Sequence, residues 1–176
     1  MLAAAALASL SFAACAPTPV ETMQAAPDTL RGAAYVHSVE LSLSAAARAA
    51  VAESDRKLHG DGDAALPFAA LFDKAVKEAT RARGLESGRA LTITIEMDAL
   101  RIPDVAMAAL GRSDRLAGQV IVSDARTGDR LAMFYVDVDK AHSGLIGLAM
   151  RGGGVREKLV RGFAAHIAEQ LAVRRR

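Results

Sequence analysis

A chain of 176 residues holds one domain plus an extension, and its net charge of +2 gives no support for nucleic acid as a partner. Apolar residues are 52% of the total but aromatics only 4%, and much of the remainder is alanine, so the core is thin for the length. The single cysteine excludes an internal disulfide and a thiolate metal cluster.

Residues 1–14, MLAAAALASLSFAA, are apolar and uncharged. The run is too short to span a bilayer but suits the apolar region of a signal peptide, and small residues precede the next position as signal processing requires. That position is Cys15. Phe12-Ala13-Ala14-Cys15 resembles the lipobox of bacterial lipoproteins. The resemblance implies that Cys15 carries a lipid anchor, holding the chain to the periplasmic face of a membrane in the cell envelope. Ala16, which is not aspartate, leans the address to the outer membrane. Residues 15–33 then read as anchor cysteine and flexible spacer, with Pro17, Pro19 and Pro27 and little apolar periodicity. Residues 34–176 are expected to form a single domain.

Within that domain, residues 34–42 predict a strand with Tyr35, His37, Val39 and Leu41 on one face, which sets His37 among apolar neighbours. Residues 44–57 are alanine-rich behind Ser44 as an N-cap and predict a helix with a weak apolar stripe. Asp61 and Asp63 lie in a glycine-containing loop whose ligand set falls well short of a calcium loop, so a solvated turn is the simpler reading. Residues 67–83 carry Phe68, Leu71, Phe72, Ala75, Val76 and Ala79 at helical spacing, with Pro67 at the start and Gly84 at the stop.

Residues 89–102 alternate Leu91, Ile93, Ile95 and Met97 with Thr92, Thr94, Glu96 and Asp98, the pattern of a strand with one face buried and one wet. Residues 103–114 extend this strand or form a short helix. Residues 115–140 are a hairpin. Asp124 can accept from the backbone two residues on, and Gly128 can take the positive φ that the loop needs.

Residues 141–154 mix Leu145, Ile146, Leu148 and Met150 with five glycines. Those four apolar residues are the candidate partner-binding set, against the plainer reading of a loop packed over the sheet end. Residues 155–174 predict a closing helix whose entry follows three glycines. Arg151, Gly153, Gly154 and Arg156 are there a candidate anion site, though no Walker loop is present. Arg174, Arg175 and Arg176 complement the dipole at the helix end or, on the sharper reading, meet a polyanion.

No sequence motif specifies a reaction. His37, His59, His142 and His166 fall in four separate elements, and there is no H-E-x-x-H, G-x-S-x-G or dinucleotide fingerprint. The expectation is therefore a non-enzyme without cofactor or metal, binding an envelope protein, glycan or lipid. The alternative is a small periplasmic hydrolase or ligand-binding enzyme, with a pocket converging on Glu96, Asp98 or His142.

The element order predicts an α+β domain with a mixed four-stranded sheet (β-α-β-β-β-α), its first two strands parallel and helices 67–83 and 155–174 packed on one face. LTITIEMDAL, SDARTGDRL, SGLIGLAMRGGG and VREKLVRGFAAHIAEQL together resemble small proteobacterial envelope lipoproteins of unknown function. The resemblance implies a fold like the N-terminal domain of TolB and of curli-secretion lipoproteins, and a role in envelope assembly or maintenance.

Overall fold

A computed structural model describes residues 20–30, 33–58, 61–140 and 154–172. The chain runs through β1 (Val20–Gln24), β2 (Ala34–Leu43), α1 (Ala45–Asp55), α2 (Phe68–Arg81), β3 (Arg89–Arg101), α3 (Val105–Ala109), β4 (Asp114–Asp124), β5 (Arg130–Lys140) and α4 (Val155–Leu171). Short 3-10 turns lie at Asp28–Leu30 and Gly62–Ala65. The mixed α+β architecture is as expected, but the sheet has five strands, in the order β1-β5-β4-β3-β2. β2 pairs parallel with β3, as the strand-helix-strand unit requires, and the remaining pairs are antiparallel.

The fifth strand is β1, drawn from the segment read as spacer. Its residues are mostly exposed, so no apolar period marks it. It becomes a strand by pairing with β5, whose backbone edge would otherwise be open. Ala26 and Leu30 just beyond it are buried in the core. The ordered sheet and core therefore take in chain upstream of residue 34.

α1, α2 and α4 all contribute to one core cluster on a single face of the sheet, one helix more than expected. Ser44 caps α1 by accepting from Ala47 N–H at 3.1 Å. The connection at 103–114 resolves to the short α3, capped by Asp104 accepting from Met107 N–H at 2.8 Å. Aromatics are few but well placed. Phe68 and Phe72 meet edge-on at 5.2 Å, and Phe72 meets Phe163 at 5.5 Å, which joins α2 to α4.

Because the described helices cover one face, each strand must keep its apolar residues on that side. Two strands do so by inserting a residue. In β2, Val36 pairs with Leu91 and Ser38 with Thr92, leaving His37 as the extra residue. The bulge brings Val39, Leu41 and Leu43 onto the core side already used by Ala34 and Val36. His37 is exposed, not set among apolar neighbours as strict alternation predicted. In β3, Met97 pairs with Gly118 and Ala99 with Ala117, so Asp98 is extra and Leu100 follows Met97 inward.

The β3 bulge brings two backbones together. A Cβ on Gly118 would lie 2.6 Å from Glu96 O and 2.9 Å from Met97 Cα. Gly118→Ala is therefore expected to destabilise by roughly 1–3 kcal/mol, the range for overpacking, read as a lowered urea midpoint at unchanged slope.

The hairpin turn forms as expected. Asp124 Oδ1 accepts from Arg126 N–H at 2.8 Å and Thr127 N–H at 3.1 Å, and Gly128 has φ +78°. Those backbone donors, with Arg89 beside them, hold the Asp124 carboxyl below the usual carboxylate range. A lowered folded-state pKa gives stability that is complete above the unfolded value of about 3.9 and is lost as the pH falls through the folded value. Asp124→Asn keeps an acceptor for the turn but cannot titrate. Its stability deficit should be full at neutral pH and shrink as the pH falls below about 4, measured by urea unfolding across pH.

Candidate functional site

One end of the sheet brings together the C-termini of β2, β3 and β5, the N-terminus of β4, and α3. Beside it, α1, the end of β3 and the start of α4 enclose a pocket of about 310 Å³. Ala50, Ala64, Leu100, Ile102 and Val155 supply its apolar lining. Glu53, Ser54, Lys57, Arg156 and Glu157 supply its polar groups.

Arg156 and Glu157, with side chains 8% and 10% exposed, form a buried ion pair in the pocket wall. The Arg156 guanidinium donates to Glu157 Oε1 at 3.1 Å, to Asp55 Oδ1 at 3.4 Å, and to the carbonyls of Asp63, Ala64 and Leu66 at 3.1, 3.4 and 3.0 Å. The fork geometry of arginine suits such a set of acceptors. Asp55 also accepts from Phe68 N–H at 3.0 Å, so it caps α2 where Pro67 has no capping side chain.

The acidic loop is pinned as well. Asp63 receives Lys74 Nζ at 2.6 Å and Arg161 at 3.1 Å, and the Lys74 hydrogen bond holds its carboxyl below the usual range. At the pocket mouth, Glu53 pairs with Lys57 at 2.9 Å and with Arg56.

Of the candidate anion residues, Gly154 is the exposed N-cap of α4 with φ +71°, while Arg156 is turned inward onto the protein's own acceptors. Glu157 already places a carboxylate in the first turn of α4, where the helix dipole favours negative charge. Arg151, Gly153, Leu145, Ile146, Leu148, Met150 and Cys15 lie outside the described residues, as does His142.

Glu96 and Asp98 do not line the pocket. Both are exposed, and Asp98 belongs to the uncovered face of the sheet, near Tyr135. Partial burial and the Asp98 charge push the Tyr135 phenol up. On the same face Arg115 grips Asp137 through both carboxylate oxygens, at 2.9 Å to Oδ1 and 2.7 Å to Oδ2. Among the described residues no group of three or more His, Cys, Asp or Glu side chains is placed to hold a metal ion, and no helix is long and apolar enough to cross a membrane.

The sequence does not single out Asp55 or Glu157, and it marks Asp63 only as an acid in a solvated turn. Asp55 ends α1, Asp63 lies in the 62–65 turn and Glu157 starts α4, and the packing of α1, α2 and α4 brings them to one ionic cluster.

No family model and no curated protein matches the sequence. Solved structures do match. The PelC dodecamer from Paraburkholderia phytofirmans aligns with a TM-score of 0.54 at 12% identity, covering 89% of this chain and 98% of PelC. A point variant of the same dodecamer gives 0.53 at 11% identity, over 89% of this chain and 99% of that one. The chain shares the PelC fold. At such identity the likeness concerns the fold alone. Protein XCC0632 from Xanthomonas campestris aligns at 11% identity with a TM-score of 0.49, over 83% of this chain and 89% of that one, and supports no further argument.

Arg156→Met would leave Glu157 as a buried carboxylate without its partner. Removal of one member of such a pair costs on the order of 3–5 kcal/mol. Adding Glu157→Gln should recover part of the loss, measured as a coupling in a double-mutant cycle of urea midpoints.

Proposed function

We propose that the chain is a non-catalytic lipoprotein of the cell envelope. It is anchored through Cys15 to the periplasmic face of the outer membrane and binds a protein, glycan or lipid partner in envelope assembly or maintenance. The observation that carries this reading is the start of β1 at Val20, five positions after Cys15. Five residues reach at most about 17 Å, so acylation of Cys15 would hold the sheet itself close to the bilayer without a long spacer between them.

The pocket supports a binding role. Its lining is largely apolar, and its buried charges neutralise each other instead of standing ready as acid or base. PelC is a dodecamer, so further copies of this same chain are among the partners to be detected.

The anchor is tested by globomycin treatment and intact mass of the mature N-terminus. A diacylated Cys15, and precursor accumulation under the drug, are expected; an unmodified Cys15 overturns the anchor. Binding at the pocket is tested by a photo-crosslinking residue at Ile102 in living cells. A discrete adduct is expected there and not from Glu96 on the open face; equal labelling at the two positions removes the pocket from the proposal.

A further inference from the structure

Four large apolar side chains are notably exposed among the described residues: Met23, Ile102, Val105 and Leu110. Three of the four fall within nine consecutive positions around α3, where Val105 is 63% and Leu110 80% exposed. α3 buries only Ala108 against the rest of the protein. It is nonetheless well defined, since Asp104 caps its first turn and Leu110 N–H closes onto Ala106 O at 3.1 Å. The apolar side chains are thus held out on a capped turn.

Charges of both signs ring them. Arg101, Arg112 and Lys140 are exposed at the same end of the sheet. Three carboxylates at that end balance these three cations. Asp104 serves as the α3 cap, Asp139 accepts from Ser113 Oγ at 3.0 Å beside Arg101, and Asp114 is buried. Exposed apolar side chains with long cationic side chains beside them can enter a lipid headgroup layer, the stems sinking while the charges stay at the phosphates.

Topology selects the occupant. β1 runs antiparallel to β5 and begins opposite Val136, four residues short of the β5 terminus at Lys140. The N-terminal attachment point therefore lies toward the α3 end. From Val20 the α3 end lies about 14 Å along the strands, while the 125–129 turn at the other end lies more than about 20 Å away, beyond the roughly 17 Å that five residues can span.

From this juxtaposition we infer that the α3 end of the sheet, with Val105 and Leu110 foremost and Arg101, Arg112 and Lys140 beside them, seats on a phospholipid bilayer. This deepens the lipoprotein reading and rests on it for proximity. Two signals are then in play, an acyl anchor and an apolar turn, which together fix orientation as well as attachment.

The test uses the full chain with Cys15 acylation verified by mass. Leu110→Cys or Ala125→Cys supplies a single free thiol for an environment-sensitive fluorophore, and the protein is reconstituted in phosphatidylethanolamine–phosphatidylglycerol vesicles. Blue-shifted emission and quenching by brominated acyl chains are expected at 110 and not at 125. Equal behaviour at the two positions overturns the docking while leaving the anchor intact. Shielding at 110 that appears only on adding envelope extract assigns the face to a protein and overturns the lipid.

If Cys15 proves unacylated, the anchor fails separately. The docking is then decided by sedimenting the same chain with phosphatidylglycerol vesicles. The double substitution Val105→Asp and Leu110→Asp, with folding confirmed by circular dichroism, is expected to lower the bound fraction by about threefold or more. Unchanged binding overturns the inference.

Discussion

One-sided burial is the constraint from which the rest of the molecule follows. α1, α2 and α4 cover one face of a five-stranded sheet, so every strand must return its apolar residues to that face. A two-residue period cannot hold through the full lengths of β2 and β3 given where their apolar residues fall. Bulges at His37 and Asp98 absorb the mismatch. Gly118 on β4 admits the displaced β3 backbone, because a side chain there would collide with Glu96 O. A sequence irregularity on one strand is thus matched by a missing side chain on its neighbour.

The helices are tied together by charge where the apolar contacts end. Asp55 from the end of α1 caps α2 and also receives Arg156 from α4. Asp63 receives Lys74 from α2 and Arg161 from α4. Burying charges is unfavourable unless each finds partners, and here the partners come from three helices and one turn. The largely apolar pocket beside this cluster therefore has one charged side, whose groups satisfy one another.

Elements set by local chemistry were legible from residues alone. The Asp124 turn with Gly128, the Ser44 cap and the α2 stripe each depend on residues a few positions apart, and each forms as read. What escaped depended on partners distant in sequence. β1 has no apolar period and is a strand because β5 presents an edge to it. His37 departs from strict alternation because a bulge at that position aligns two separate apolar sets, 34–36 and 39–43. In the candidate site, Arg156 was read as facing an external anion, since its role as the centre of an internal cluster needs Asp55 and the 62–65 turn, about a hundred residues upstream.

The place of β1 also sets how the molecule bears load. Its hydrogen bonds to β5 lie across the strand direction, from Val20 opposite Val136 to Gln24 opposite Met133. A pull on the N-terminal segment acts along the strand, so it stresses these bonds in shear and shares the force among them. Pulling at right angles would open them one by one, like a zipper. Behind β1, Leu30 is locked in the core as a second stop against extraction. An edge strand that looks like a minor addition to the sheet is thereby a mechanical coupling, able to pass tension from the N-terminal segment into β5 and the centre of the fold.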